Sequence, residues 1–170
     1  MKFIKKIANF ITNTLLIVII IAIFFALYGM FQIKVLNNKY INYFGYTFFE
    51  VVSGSMSPTI NTYDLVIIKV GADFKENDVI TFYKDNSFIT HRVIGYNEEQ
   101  ILTKGDANNT SDKYITKDMV VGKVIYIIQE FGIIKRVLVN SKVIFWIFLT
   151  FILFSLAFSI CDKKGEVDEK

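Results

Sequence analysis

The feature that most constrains this chain is an uncharged apolar segment close to its N-terminus. Residues 10–31 form 22 positions without a charge, and from Leu15 onward they read LLIVIIIAIFFALYGMF. A helix of about 20 apolar residues is long enough to cross the hydrocarbon core of a bilayer. A cleaved secretory signal is the alternative, but the segment exceeds the usual apolar length of about 7–15 residues and no small-x-small site closes it. The segment therefore predicts an uncleaved transmembrane helix.

A second apolar segment lies near the other end of the chain. Residues 143–160, VIFWIFLTFILFSLAFSI, are 18 uncharged positions, which is the short end of the range for a transmembrane helix. A helix lying in the membrane interface would need a charged face, which this segment lacks. We expect a second transmembrane helix. Three cations precede it, so charges on both flanks weaken the prediction of its direction across the membrane: Lys135, Arg136 and Lys142.

The lysines outside these segments predict how the chain is oriented. Lys2, Lys5 and Lys6 favour a cytoplasmic position for residues 1–9, although Lys34 and Lys39 on the other flank of the helix weaken this bias. Lys163 and Lys164 favour a cytoplasmic position for a tail at residues 161–170. The region 32–142 between the two helices is then extracytoplasmic. This predicts a multi-pass protein of the cell membrane.

The region between the apolar segments is rich in β-branched and aromatic residues. Its short runs are broken by Gly, Asn and Asp, which is typical of strands, and the dense YINYFGYTFF run suits either the membrane interface or a core. The predicted strands are FFEVV, DLVIIKV, DVITFY, SFITHRVI, QILTK and MVVGKVIYII, with a hairpin turn at KDNS. We therefore expect a mostly β fold, with one β-domain at about 48–128 flanked by N-terminal and C-terminal transmembrane helices.

Composition limits the chemistry of this domain. The net charge is only +3, with acids and bases interspersed, so nucleic acid is not an expected partner. A single cysteine, Cys161, and a single histidine, His91, are too few for a disulfide framework or a zinc site. We expect neither a cofactor nor a metal site, although composition alone leaves oxygen-only binding of Mg²⁺ or Ca²⁺ open.

His91 is the best candidate for a catalytic base, because a serine nucleophile needs a base at neutral pH. In an alternating strand, Ile89, His91 and Val93 share one face, so the imidazole is expected to lie on a partly apolar face of the sheet. The loop TKGDANNTSD, residues 103–112, is rich in turn residues, but it also offers a carboxylate that could orient the imidazole through its Nδ1 proton.

Three motifs together resemble a known family. In chain order they are SGSMSP, HRV and KGDANNTSD, at residues 53–58, 91–93 and 104–112. They resemble the type I signal peptidases, in the branch found in the endoplasmic reticulum, archaea and some Gram-positive bacteria. The resemblance implies a membrane-bound serine endopeptidase that removes signal peptides from exported precursors, with small residues at the first and third positions before the cut.

The same resemblance assigns a role to five residues. Ser55 corresponds to the nucleophile, His91 to the base and Asp112 to the residue that orients the histidine. Ser53 corresponds to a residue that helps to form the oxyanion hole, and Asp106 to a second aspartate that supports the site.

Two turns depart from the family pattern. Where relatives often have Gly-Asp, this chain has Tyr63-Asp64 and Asn77-Asp78. Asparagine tolerates a positive φ, so the second change is mild, whereas Tyr63 puts the shape of its turn in question.

Two alternatives stay open. One is a serine-lysine peptidase that uses Lys69 or Lys104 as its base. The other is a non-catalytic, membrane-anchored β-domain that acts as a scaffold or chaperone in secretion. The expected partners are signal peptides and the lipid bilayer, and the sequence does not decide whether accessory subunits take part.

Overall fold

The computed structural model describes residues 2–97, 99–150 and 152–153. The chain starts with a long helix, α1 (Lys2–Lys34), and continues into an antiparallel β-domain. The strands are β1 (Tyr46–Glu50), β2 (Leu65–Val70), β3 (Val79–Lys84), β4 (Ser87–Tyr96), β5 (Gln100–Lys104), β6 (Ile115–Thr116) and β7 (Val120–Ile128). Two helices follow, α2 (Phe131–Leu138) and α3 (Ser141–Thr150).

The strands form a seven-stranded sheet in the order β1-β2-β7-β3-β4-β5-β6. The predicted mostly β domain is thus confirmed, with small changes at the strand ends. The first strand starts at Tyr46 and ends at Glu50, so Val51 and Val52 lie outside it, and β6 was not predicted. The predicted KDNS turn is confirmed, because Lys84 pairs with Ser87 and the two residues between them have positive φ values, as a tight hairpin requires.

Two clusters of buried side chains stabilise the sheet. One consists of Met56, Ile60, Val66, Ile68 and Val121, and the other of Ile80, Phe82, Val93, Ile101 and Ile115. Full burial of such a side chain contributes about 1.5–3 kcal/mol. Because Met56 and Ile60 belong to the first cluster, the SGSMSP segment is fixed to the domain by its own apolar side chains.

Helix α1 is long and apolar enough to cross a membrane. Within its part Asn9–Lys34, the most apolar 18-residue stretch has a mean hydropathy of 2.8, and none of that stretch is buried against the domain. A signal sequence near the N-terminus would have the same length and composition. The buried amide of Gln32 donates to the Asn42 carbonyl at 2.9 Å and accepts from the Asn42 N–H at 2.9 Å. The end of α1 is therefore fastened to the segment that leads into β1.

The aromatic run at residues 40–49, which extends into β1, has side chains in both of the environments that the sequence suggests, the core and the membrane interface. Phe49 packs against the first core cluster and stacks on Phe88, with 4.4 Å between the ring centroids. Phe44 is 77% exposed and lies beside Phe25 and Tyr28 of α1. One end of the run thus belongs to the core, while the other adds to the exposed apolar surface of α1.

The described residues do not show the predicted C-terminal transmembrane helix. Within the described residues, α3 is a short apolar helix of ten residues. Most of the second half of the predicted segment 143–160, together with Cys161 and the predicted tail at 161–170, lies outside the described residues. The flanking helix that the structure supports is therefore α1.

Candidate active site

The candidate site starts at the turn between β1 and β2, residues 51–60, which we name the serine turn. The Ser57 N–H donates to the Gly54 carbonyl at 3.0 Å, and the Ile60 N–H donates to the Met56 carbonyl at 2.9 Å. The peptide bond between Ser57 and Pro58 is cis. Met56 is only 2% exposed, whereas the neighbouring Ser55 is half-buried. The core thus holds the turn from below and leaves Ser55 accessible.

His91 approaches Ser55 from the sheet. It lies in β4 opposite Ile80 of β3 and is 7% exposed, on the more buried face that the alternation of β4 predicts. Its ring lies edge-on to Phe82, with 6.3 Å between the ring centroids. The Nε2 atom of His91 is 3.1 Å from the Oγ atom of Ser55. This distance is short enough for a hydrogen bond between them.

Asp112 contacts the other side of the imidazole. Its Oδ2 atom is 2.5 Å from Nδ1 of His91 and also accepts a hydrogen bond from the Thr103 hydroxyl at 2.7 Å. The Asp112 N–H donates to the Thr103 carbonyl at 2.8 Å. An ionised carboxylate only accepts hydrogen bonds, so this contact favours the tautomer with its proton on Nδ1. The Nε2 lone pair then faces the Ser55 hydroxyl.

Thr103 and Gly105 are parts of the site that the sequence analysis missed. Thr103 is fully buried and fixes Asp112 through both its side chain and its backbone. Gly105 lies where the loop at 103–112 passes the serine turn, and a Cβ atom there would be only 2.6 Å from the Ser55 carbonyl oxygen. The glycine allows the Ala107 N–H to donate to that oxygen at 2.9 Å. In the sequence, the glycine directly before Asp106 is the signal that could have predicted this close approach of two backbone segments.

Asp106 pairs with the neighbour of His91 rather than with its ring. Arg92 donates from Nε to Oδ1 at 2.8 Å and from Nη2 to Oδ2 at 2.7 Å, and its Nη1 donates to the Asn77 carbonyl at 2.8 Å. The hydrogen bonds from Arg92 hold the pKa of Asp106 below its ordinary value of 3.8, opposed by partial burial and assisted by the Thr59 hydroxyl. This two-fold contact stiffens the loop that carries Asp112.

Two donors are available near the Ser55 hydroxyl. Ser53 Oγ lies 3.3 Å from Ser55 Oγ. The Ser55 N–H makes no hydrogen bond to an acceptor in the part of the chain that the structure describes. An N–H and a hydroxyl in one turn could both donate to an oxyanion that forms at Ser55.

The two lysines considered as alternative bases lie apart from this contact. Lys69 is an exposed residue of β2, and Lys104 of β5 pairs opposite Arg92. Among residues 2–97, 99–150 and 152–153, neither lysine makes a hydrogen bond with Ser55. The basic group that the fold brings to Ser55 is the imidazole of His91.

The two turns that depart from the family pattern keep a left-handed backbone. Tyr63 has φ 75° and Asn77 has φ 73°. The Tyr63 N–H donates to the Val51 carbonyl at 2.8 Å, and the Asp64 carboxylate accepts from the Asn61 N–H at 2.8 Å. Tyr63 therefore does not change the shape of this turn, because the tyrosine adopts a backbone conformation that is otherwise typical of glycine.

Comparison with known proteins gives one match of note. The chain is 41% identical over 83 residues to Signal peptidase I W of Bacillus subtilis (strain 168), which covers 44% of this chain and 44% of that protein. No family model matches the chain. The match supports a relationship to signal peptidase I. Since it spans less than half of the relative, the roles of the individual residues stay predictions.

The contact at Gly105 leads to the first prediction. Gly105→Ala is expected to push the Ser55 carbonyl away from the Ala107 N–H and to destabilise the fold by about 1–3 kcal/mol, because the nearest atom is rigid backbone. Thermal unfolding and hydrogen exchange at the Ala107 amide measure both effects. Gly95→Ala is the matched control, since a Cβ there has no neighbour within 4 Å. Equal unfolding temperatures for the two variants would contradict the close approach.

The Arg92–Asp106 pair predicts a pH dependence. Because the folded state lowers the pKa of Asp106, its contribution to stability is complete above the ordinary value of 3.8 and is lost as the pH falls through the lower folded value. In the wild type, exchange of the Ala107 amide should rise below pH 3.8 after correction for intrinsic rates. In Asp106→Asn, which removes the titrating group, this amide should already exchange faster at pH 6 and the additional rise should vanish. An unchanged rise in the variant would assign it to another carboxylate.

Proposed function

We propose that this protein is a membrane-bound serine endopeptidase that removes N-terminal signal peptides from exported precursor proteins. The observation that carries the proposal is the chain of contacts from Ser55 Oγ to His91 Nε2 at 3.1 Å and from His91 Nδ1 to Asp112 Oδ2 at 2.5 Å. The relationship to signal peptidase I supports the substrate class.

In the proposed mechanism, Ser55 is the nucleophile and His91 is the general base. The neutral imidazole takes the hydroxyl proton at Nε2 while Oγ of Ser55 bonds to the scissile carbonyl carbon. Asp112 holds the ring by its Nδ1 proton and stabilises the imidazolium that forms. The Ser55 N–H and the Ser53 hydroxyl donate to the new oxyanion, and loss of one such donor lowers kcat by about 10²–10³.

Collapse of this tetrahedral intermediate releases the mature protein. His91 returns its proton to the leaving amine, which leaves the signal peptide as an acyl ester on Ser55. A water molecule then gives a proton to His91 and attacks the ester, and the second collapse restores the Ser55 hydroxyl. No group outside the chain other than water is needed to balance these steps.

The proposal places the β-domain on the outer side of the membrane, with α1 as its anchor. The buried bond between Gln32 and Asn42 joins the end of α1 to the domain, so the site lies at a fixed position relative to the helix. A substrate whose own apolar helix ends near the same depth presents the following residues to Ser55. The resemblance to the family implies small residues at the first and third positions before the cut.

The contacts do not favour the alternative of a non-catalytic scaffold. A scaffold has no use for an imidazole that contacts both a serine and a carboxylate, nor for a buried threonine that orients that carboxylate.

Co-expression with a precursor that carries a small-x-small cleavage site tests the proposal. In cells depleted of their own signal peptidase, the wild type should convert the precursor to the shorter mature form, as read by gel shift. Ser55→Ala should lower the rate by about 10⁴-fold or more, because the nucleophile is lost.

Ser57→Ala is the matched control in the same turn. Its hydroxyl bonds to Asn61 Oδ1 rather than to His91, so this variant should retain maturation. Maturation by Ser55→Ala at the wild-type rate, with both chains inserted, would refute the assignment of the nucleophile. Absence of maturation by an inserted and folded wild type would refute the substrate class.

A further inference from the structure

A cavity of about 620 Å³ lies away from the candidate active site. It opens between the end of β1, the turn at Tyr63, helix α2 and the connection from α2 to α3. Its polar lining consists of Glu50, Tyr63, Lys135, Arg136, Asn140, Ser141 and Lys142. None of the proposed catalytic side chains contributes to its walls.

Tyr63 forms part of this cavity in a backbone conformation that bulky side chains rarely adopt. Its φ of 75° suits glycine, and the turn itself uses only its backbone, since its N–H donates to Val51 and its carbonyl accepts from the Gly132 N–H, each at 2.8 Å. Glycine would make the same two hydrogen bonds without strain. The aromatic ring is therefore not needed for the turn, which directs attention to what the ring contacts.

The ring of Tyr63 supports a cation on α2. The guanidinium carbon of Arg136 lies 5.5 Å from the ring centroid, within the range of a cation–π contact. Gly132 lets α2 approach this closely, because a Cβ there would be 2.7 Å from the Tyr63 Cβ atom. The tyrosine thus positions Arg136 at the wall of the cavity.

The charges of the cavity favour an anion. Lys135 pairs with Glu50 at 2.5 Å, so these two charges compensate each other. Within the described part of the chain, neither Arg136 nor Lys142 has a carboxylate within 4 Å. A planar guanidinium and a mobile ammonium beside one cavity suit the oxygens of a phosphate group.

The surface beside the cavity is apolar. Helix α2 exposes Ile133, Ile134, Val137 and Leu138, and α3 exposes Ile144, Phe145, Trp146, Ile147 and Phe148. Large exposed apolar surfaces mark places where a protein contacts another protein, a membrane or a nonpolar ligand. Cations and exposed apolar side chains therefore meet at one place, which matches the two halves of an anionic phospholipid.

We propose that this cavity binds the phosphate of an anionic phospholipid, with Arg136 and Lys142 as its ligands and with the acyl chains covering the exposed faces of α2 and α3. The proposal accounts for the side chain of Tyr63, which the turn does not need. It also accounts for Arg136 and Lys142, which lie directly before the second apolar segment. The predicted orientation puts that side outside the cell, where the positive-inside rule does not predict cations.

The single tryptophan of the chain, Trp146, provides a local reporter four residues after Lys142. The full-length protein in lipid nanodiscs is supplied with a trace of dansyl-labelled phosphatidylglycerol or dansyl-labelled phosphatidylcholine. Energy transfer from Trp146 should be at least about twofold stronger to the anionic lipid, because its headgroup is retained at the cavity. In Arg136→Gln/Lys142→Gln, transfer to both lipids should be equal.

A charge-matched control uses exposed lysines elsewhere on the domain. Lys113→Gln/Lys117→Gln removes the same charge and should keep the preference for the anionic lipid. Equal transfer to both lipids in the wild type, or an equal loss in the two double variants, would overturn the proposal. Displacement of the labelled lipid by about 10 mM inorganic phosphate would also overturn it, in favour of a free phosphate ligand.

Tyr63→Gly separates the lipid site from ordinary stabilisation. Relief of the strained φ should raise the unfolding temperature, while loss of the ring beneath Arg136 should lower the preference for the anionic lipid. A glycine variant that is more stable and keeps the full preference would remove the tyrosine from the site. None of these measurements depends on peptidase activity, so their outcome is independent of the proposed function.

Discussion

The candidate site depends on a main-chain contact between two distant segments. The Ala107 N–H donates to the Ser55 carbonyl at 2.9 Å, and Gly105 leaves the space that this approach needs. On its other side the serine turn is held by Met56, which is buried in the core. Because Ser55 is fixed from both directions, its hydroxyl keeps a defined distance to an imidazole that comes from β4.

The acidic loop carries two carboxylates that have different tasks. Asp112 contacts the imidazole and is held by Thr103, whereas Asp106 accepts hydrogen bonds from Nε and Nη2 of Arg92. The first arrangement sets the orientation of the ring, and the second fixes the loop on which that orientation depends. A site of this kind places its polar groups before the substrate arrives, which is how preorganised electrostatic stabilisation works.

Local sequence signals predicted most of the β-domain and could not predict the contacts between its segments. Alternation in FITHRVI places His91 on the buried face, and KDNS marks a hairpin, because both signals arise within a few residues. Strand β6 is only two residues long and has no periodicity to detect. Thr103 reads as an ordinary strand residue and Gly105 as an ordinary turn residue, because the Asp112 backbone and the Ser55 carbonyl that define their roles come from elsewhere in the chain. The grouping of Ser55, His91 and Asp112 came from the family resemblance, which spacing alone does not supply.

Tyr63 illustrates how a departure from a family pattern can preserve shape and add a contact. The backbone of Tyr63 keeps the left-handed turn, and its ring makes a cation–π contact with Arg136 at the wall of the cavity beside α2. The turn therefore connects the β-domain to the helices that follow it. In this account the chain meets the membrane at two places, through α1 and through the surface formed by α2 and α3.

The central claim is that His91, rather than a lysine, activates Ser55. The most direct test measures the rate of precursor maturation by His91→Ala, Lys69→Ala and Lys104→Ala under the same conditions. The account predicts a loss of about 10⁴-fold or more for the histidine variant and rates near the wild type for both lysine variants. Full maturation by His91→Ala, together with loss of activity in either lysine variant, would contradict it and would identify a serine-lysine peptidase.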